Sequence, residues 1–502
     1  MSHDRDPSAL PLPRTYKLVI VVSVALMFLL GLFYLGLRNR RVGATFQVYA
    51  SHELVSGLPA AFRAVQFNGV ERKNLPVAIE SVALYRDGRE VATARAQSVV
   101  PRLPSDLSLV LPGLEPGPVT ARLDLVGWDG EKRSVEVQLD VVAPGESIRH
   151  FQAIPELDAP PSVTELDLGL SAAGGGLVDG VPNRLWLRVA SLDGAPVDVL
   201  PEFRLDEGPV PGSVRSGRLG IASVETVVAG LNANLVMEIP AGRERVVWQE
   251  MVAPDRMARL RAARRLFSAE PPLHVQVELL SSLAELQMYC TLWHGGTAIE
   301  FLETATRNHS ALIDLTLPSR GLYWLTCEDH FVSSDEFPAF LPLLVTSDEG
   351  RFLESLSTAF GGPLSAGWPR IADMTAPERE RALDYLADRM APQGVAIAQV
   401  VNTYAADLEE LKERSSQQRD AVLAVIALLG LALLVWAVAV AIRQHRRLRR
   451  SFQEFQEKED VGDELAREGI TRRRSFVPAA LVALTFVLNI IALVWLLRLI
   501  FS

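Results

Sequence analysis

The 502-residue chain lacks the short motifs that announce catalysis. It has no phosphate-cradling Gly-x4-Gly-Lys loop, no His-Glu-x-x-His pair and no calcium-binding loop. The Gly-x-Ser-x-Gly elbow of serine esterases is missing too. Gly362-Pro-Leu-Ser-Ala-Gly367 has the wrong spacing for it, and His294-Gly295-Gly296 reads as a hairpin turn. Histidine is scarce, eight in all, with four scattered over residues 274–330 and nothing framing them as a general-base site. Cysteine is scarcer still, only Cys290 and Cys327. Positive charge is in deficit: residues 42–420 carry 33 Lys/Arg against 51 Asp/Glu. So acidic a region does not hold nucleic acid or an anionic surface by bulk electrostatics. No nucleic-acid partner, no cofactor and no enzymatic activity are therefore expected.

What the chain does have is three long apolar runs, at 18–37, 421–442 and 477–501. Each reaches the roughly 20 residues that a helix needs to cross a bilayer core. The loop between the last two, 443–474, holds ten Lys/Arg, clustered at its ends as Arg443-Gln-His-Arg-Arg-Leu-Arg-Arg450 and Arg472-Arg473-Arg474. Short basic loops stay in the cytoplasm. That rule places residues 1–17 inside and the large region 42–420 outside; the expected location is a bacterial inner membrane. The first run is longer than the apolar core of a secretory signal, which favours an uncleaved anchor, although Val42-Gly43-Ala44 leaves a cleaved-signal reading open. Asn489, mid-way along the third run, needs a neighbouring helix. Ala424, Ala427 and Gly430 form a small-residue stripe on the second, suited to close packing. These four are the candidate contacts within the membrane, either among the chain's own helices or with a membrane-protein partner or a second copy.

The outer region reads first as β-structure. Short Val/Leu/Phe-rich runs are cut by turn dipeptides such as Asp87-Gly88, Pro116-Gly117, Asp129-Gly130 and Asp193-Gly194. Ser134-Val-Glu-Val-Gln-Leu-Asp-Val141 alternates apolar and polar, the pattern of a half-buried strand. A step is also repeated: Leu54-Val-Ser-Gly-Leu-Pro-Ala-Ala-Phe62 matches Leu177-Val-Asp-Gly-Val-Pro-Asn-Arg-Leu185, and each is followed by a Pro-Val pair, at Pro76-Val77 and Pro196-Val197. Two tandem sandwiches, 43–143 and 162–268, follow from this.

The turn, the Arg-bearing strand after it (Phe62-Arg63-Ala64-Val65; Trp186-Leu187-Arg188-Val189), the Pro-Val pair and a later Asp-Gly hairpin resemble the macroglobulin-type β-sandwich domains of α2-macroglobulins and complement-like proteins. The resemblance implies tandem immunoglobulin-like or macroglobulin-like sandwiches. It does not extend to protease trapping, because neither cysteine lies in a Cys-Gly-Glu-Gln thioester and there is no room for a bait segment.

A third β-unit is expected at 271–346, with strands at 274–279, 286–293, 311–317 and 321–327, joined to the second by a short helix within 255–267. Its two cysteines allow a disulfide, favoured in an oxidising compartment. They also allow a tetrahedral metal site of the Cys290-x3-His294 and Cys327-x2-His330 pairs, or free thiols. Beyond 346 the period becomes helical. Thr375-Ala-Pro-Glu378 is a helix start, and Ile397, Val401, Tyr404, Leu408 and Leu411 step by four and three, a seam predicting a helical stalk over 349–420 that either packs on the outer region or pairs with a second copy. The expected function is a non-catalytic scaffold or binding subunit of a cell-envelope complex. The alternative is a receptor passing a periplasmic signal through the stalk to the basic loop.

Overall fold

The computed structural model describes residues 44–456 apart from 145–150, 160–165, 207, 211, 231, 242–243, 332–338, 360–366 and 394–396. Before residue 44 it describes Ala25, Phe28 and Leu32, all helical and exposed. Residues 43–404 form one compact unit; 1–42 and 405–502 belong to another.

The first unit is mainly β, and its strands form three two-sheet sandwiches and a separate two-stranded sheet of Phe151–Ala153 and Met390–Pro392. In the first sandwich, one sheet runs Ala398–Asn402, Ala44–Ala50, Pro59–Asn68, Lys73–Leu75, with Ser105–Val110 also on Pro59–Asn68. The facing sheet runs Glu53–Val55, Lys132–Val142, Gly117–Gly127, Val77–Arg86, Arg89–Arg95. Asp87 and Gly88, with φ of 50° and 75°, make the two-residue turn between its last two strands. Both central residues of such a turn need positive φ to match the strand twist. In Lys132–Val142 the alternation of the sequence becomes an alternation of burial, with Val135, Leu139 and Val141 inside and Glu136, Gln138 and Asp140 outside.

The second sandwich packs Leu157–Asp158, Leu166–Ala172, Pro182–Ser191 and Ile221–Val227 against Gly208–Val210, Glu202–Leu205, Ala233–Ala241 and Glu244–Val252. Phe203, Trp248, Leu185 and Leu187 fill its core. The third packs Ala258–Ala262, Leu273–Ser281 and Ser310–Leu317 against Leu266–Phe267, Ala339–Val345, Gly321–Glu328, Gln287–His294 and Thr297–Ala305. The helix expected within 255–267 is instead the two strands Ala258–Ala262 and Leu266–Phe267. Ala258-Arg-Leu-Arg-Ala262 alternates with period two, burying Ala258 and Leu260, and that pattern outweighs the helix propensity of its residues.

Two helices follow, α1 (Glu349–Ala359) and α2 (Ala376–Asp388). Thr375 caps α2 with a reciprocal capping box: its side chain accepts from the Glu378 amide, and the Glu378 carboxylate accepts from the Thr375 amide at 2.8 Å. The segment 349–420 is not helical throughout, since strands Met390–Pro392 and Ala398–Asn402 interrupt it, and its first two helices pack on the sandwiches. Leu353, Leu356, Ala382, Leu383, Tyr385 and Leu386 share one buried apolar cluster with Tyr49 and Val65 of the first sandwich, Trp186 and Ile221 of the second, and Trp293, Trp324 and Phe340 of the third. The helical segment is thus the junction on which all three sandwiches close.

In the other unit, α3 (Tyr404–Gln456) is a single helix of 53 residues, about 80 Å at 1.5 Å per residue. Counted on described residues alone, no helix is long and apolar enough to cross a membrane; nine of the 22 side chains between 421 and 442 lie outside those described.

Candidate functional site

The first functional feature is where the sandwich unit begins and ends. Strand Ala398–Asn402 lies antiparallel to Ala44–Ala50, pairing Gln47 with Asn402, Val48 with Val401 and Ala50 with Ala398. Thr403 closes the pair. Its hydroxyl accepts from the Phe46 amide at 2.9 Å, and its own amide donates to the Phe46 carbonyl at 3.1 Å. Because the pairing is antiparallel, Phe46 and Thr403, 357 positions apart, sit side by side at one end of one sheet.

The second feature is an ionic lock around the junction. In the first sandwich, Arg63 is 1% exposed. Its Nε and Nη2 donate to the two oxygens of Asp106 at 2.8 and 2.9 Å, and Nη1 donates to the Phe331 carbonyl at 3.1 Å. Its guanidinium lies 4.4 Å from the centre of the Phe301 ring of the third sandwich, a cation–π contact. In the second sandwich, Arg188 donates to Glu156 at 2.7 Å and to both oxygens of Asp167 at 2.7 and 3.2 Å. Glu156 also receives the Tyr385 hydroxyl and pairs with Arg389 at 3.1 Å. Trp186 Nε1 donates to Asp388 at 2.7 Å, Arg265 of the third sandwich pairs with the same carboxylate, and Arg184 reaches Asp384 at 3.5 Å.

Burial dominates the electrostatics here. Together with the Glu156 carboxylate, it pushes the Tyr385 phenol far above its ordinary range. Burial also lifts Asp384. Arg259 is pushed down to about 10 by burial and by its neighbours Arg265, Arg184 and Arg261, against the pull of Asp388. Removing one partner of such a buried pair leaves a stranded charge and costs about 3–5 kcal/mol. The lock therefore fixes how the sandwiches meet.

A groove of about 810 Å³ opens beside the junction, a size typical of small-ligand clefts. Leu353, Ile371, Met374 and Trp368 supply its apolar lining, and Asp348, Glu349, Glu354, Arg370 and Arg379 its charges.

Cys290 and Cys327 are directly opposite on neighbouring antiparallel strands. They form a disulfide with a Cα–Cα distance of 4.0 Å, both sulfurs fully buried. The proposed Cys/His metal site is thereby excluded: its thiolates are consumed, and His330 is exposed beside Asp329. No group of three potential ligands occurs among the described residues. His294 is buried, which lowers its pKa. Its Nε2 lies 3.1 Å from the Arg320 carbonyl and 3.4 Å from the Ser319 hydroxyl. Facing a carbonyl, Nε2 carries the ring proton, so it offers Ser319 no base.

The expected helical seam breaks. Ile397 is buried in the junction, and Val401 lies in the closing strand against the first sandwich's core. Only Tyr404, Leu408 and Leu411 are on α3, the first exposed and the other two half-buried. Val400-Val401 is β-branched and meets a sheet edge, and this pairing overrides a seam only two heptads long. Ala424 and Ala427 are exposed on α3, which also includes Gly430. Asn489 lies outside the described residues. The lock residues Glu156, Asp384, Tyr385, Asp388 and Arg389 and the groove's Trp368 were not singled out by sequence. The signal available was a charge inside an apolar strand, at Arg63 and Arg188.

No family model and no curated protein matches the chain. Solved structures do. One is SGBP-B, from a mixed-linkage glucan utilization locus of Bacteroides ovatus, at 13% identity over 59% of this chain and 66% of that one, TM-score 0.18. Another is the dimeric latent PorU of Porphyromonas gingivalis, at 8% identity over 61% and 34%, TM-score 0.22. An α2-macroglobulin from Salmonella aligns at 13% identity over 61% and 23%, TM-score 0.15. The chain thus spans less than two thirds of each. The likeness is one of β-sandwich fold and carries no argument about activity.

Proposed function

We propose that the chain is a non-catalytic scaffold of a bacterial cell envelope, its macroglobulin-type sandwiches outside the cytoplasm and anchored in the inner membrane by helices at 18–37, 421–442 and 477–501. One observation carries this reading. Val425, Leu428, Leu431, Val435, Val438 and Ile442 step along one face of α3 and are 46–67% exposed. Leaving such side chains in water forgoes roughly 1.5–3 kcal/mol apiece, so the face calls for hydrocarbon cover. Phe28 and Leu32, at 66% and 50% exposed, present the same demand in the first run. The pairing of Phe46 with Thr403 supports two-point anchoring, since the chain enters and leaves the sandwich unit at one end of one sheet. Asn489, Ala424, Ala427 and Gly430 are then the contacts for a membrane-protein partner or a second copy.

Cysteine labelling tests the topology. The native pair gives no background, being joined and buried. In spheroplasts, Asp193→Cys should react with a membrane-impermeant maleimide, and Ser451→Cys only after permeabilisation. The reverse pattern, or release of the protein by alkaline carbonate, sinks the reading. The partner is sought by mild-detergent co-purification after in-cell cross-linking, which Asn489→Leu should weaken.

The groove beside Trp368 favours a second reading, a receptor. A ligand there would bear on α1 and α2, and the signal would leave through the closing strand Ala398–Asn402, which runs into α3, rather than through a stalk. Recovery of the protein alone, with no membrane partner, turns the choice toward this reading and toward ligand screens.

A further inference from the structure

We propose that the cytoplasmic end of α3 is a clamp for anionic phospholipid headgroups; the proposal rests on α3 crossing a bilayer, as read above. α3 does not stop where its apolar run stops but continues unbroken to Gln456. Arg443, Arg446 and Arg450 are exposed at i, i+3 and i+7, one face of that extension. The sequence adds Arg447 and Arg449 within the same two turns. No Asp or Glu occurs from 421 to 453, so Arg443 and Arg446 have no counter-charge within a turn on their own helix; Glu454 lies four residues past Arg450. Residue 443 directly follows the apolar run, and 443–450 rises about 10 Å. That crosses the headgroup layer, which adds roughly 5–8 Å to each side of the hydrocarbon core. Guanidinium forks bind phosphate oxygens in pairs, and basic clusters immediately cytoplasmic of a membrane helix attract anionic lipid. The chemistry recognised is a phosphodiester, and the depth assigns it to lipid rather than to free phosphate.

Trp436 lies two turns before Arg443 and provides the probe. The full-length chain, carrying Trp495→Phe so that Trp436 is the sole tryptophan in the three apolar runs, is reconstituted in phosphatidylcholine vesicles with a minority of phosphatidylglycerol. One lipid or the other bears brominated acyl chains, which quench only nearby intramembrane tryptophan. Brominated phosphatidylglycerol should quench Trp436 as though enriched about five-fold over its mole fraction, the local excess one arginine near the headgroups supports. Combined Arg443→Gln, Arg446→Gln, Arg447→Gln, Arg449→Gln and Arg450→Gln should return it to the mole fraction. Quenching at the mole fraction in the parent chain overturns the clamp and leaves the arginines to a protein partner. Loss of the enrichment on adding inorganic phosphate at constant ionic strength also overturns it, assigning the cluster to free phosphate. If neither brominated lipid quenches, α3 does not cross the bilayer, and the membrane reading itself fails along with the clamp.

Discussion

Pro59–Asn68 and Pro182–Ser191 are strands of equal length at the repeat offset of 123, one in each of the first two sandwiches, and both turn one face to the junction. In the first, Ala60, Phe62 and Ala64 fill the sandwich core while Ala61, Arg63 and Val65 face outward. In the second, Leu185, Leu187 and Val189 fill the core while Arg184, Trp186 and Arg188 face outward. The outward triplets are inverted: one arginine between two apolar residues, against one tryptophan between two arginines. Each suits what it meets. Arg63 enters the aromatic surface of Phe301 and Tyr289. Arg184 and Trp186 meet Asp384 and Asp388, which are i and i+4 on one face of α2. A single backbone step has thus been dressed for two docking surfaces, and the energy of joining the sandwiches is spread unevenly between them.

The largest effect should come from breaking the more charged face. Asp388→Ala strands Arg265 and leaves Trp186 Nε1 unpaired in a site where the carboxylate is 1% exposed. It should lower the stability of the full chain by about 3–5 kcal/mol, read as a drop in the urea midpoint. Asp106→Ala strands Arg63, but Asp106 is 26% exposed and water can follow, so a smaller loss of about 1–3 kcal/mol is expected. Equal losses would erase the asymmetry between the two faces.

Next in size is the disulfide of the third sandwich, on which both faces lean. Replacing Cys290 and Cys327 together with alanine opens a loop of 37 residues, which should cost roughly 3–4 kcal/mol in the chain-entropy view. If the third sandwich is the common support, this loss should add to that of Asp106→Ala with a coupling term, since Tyr289, which Arg63 overlies, is next to Cys290. Simple additivity would argue that the sandwiches unfold independently.

Much of this architecture was legible. The turn dipeptides, the alternation in Ser134–Val141 and the repeated Leu-Val-x-Gly step reported local geometry, which the chain encodes within a few residues. The pairing of Cys290 with Cys327 was legible as one of three readings, and the Thr375 cap as a pattern of four residues. What was not legible is whatever depends on distant partners. Trp186 and Asp388 are 202 positions apart. Ala398–Asn402 carries a weak alternation of its own and is made a strand by Ala44–Ala50, at the other end of the unit. Counting steps of three and four from Ile397 gives a helical seam because Ile397 and Val401, four apart, fit a strand's period of two as well as a helix's when the pairing strand is unknown.

Thr403→Val probes the closing of the first sandwich's sheet by a strand from the far end of the unit. The substitution keeps the shape and removes the acceptor for the Phe46 amide. A buried amide left unpaired costs about 1–3 kcal/mol, and the main-chain bond from Thr403 to Phe46 survives, so a loss near the lower end is expected. Amide hydrogen exchange should show the opening confined to Ala44–Ala50 and Ala398–Asn402, with Pro182–Ser191 unchanged.

The smallest effect is a pH dependence, and it should leave the comparison between the two faces untouched. Burial holds the His294 pKa below its ordinary value, about 6.5 for a free imidazole. Above that pH both the folded and unfolded chains carry a neutral ring, and the residue contributes no pH dependence. As the pH falls through about 6.5 the unfolded chain takes up a proton that the folded chain refuses, so stability is lost until the folded value is passed. The wild-type midpoint should therefore fall more steeply below pH 6.5 than that of His294→Gln, each taken relative to its own value at about pH 8, well above the ordinary imidazole range. Placing the same substitution in the Asp388→Ala and Asp106→Ala backgrounds should remove the same increment from each. A different increment in the Asp106→Ala chain would mean that the Arg63 face and the His294 end of strand Gln287–His294 are coupled, and the two docking surfaces would then have to be treated as one.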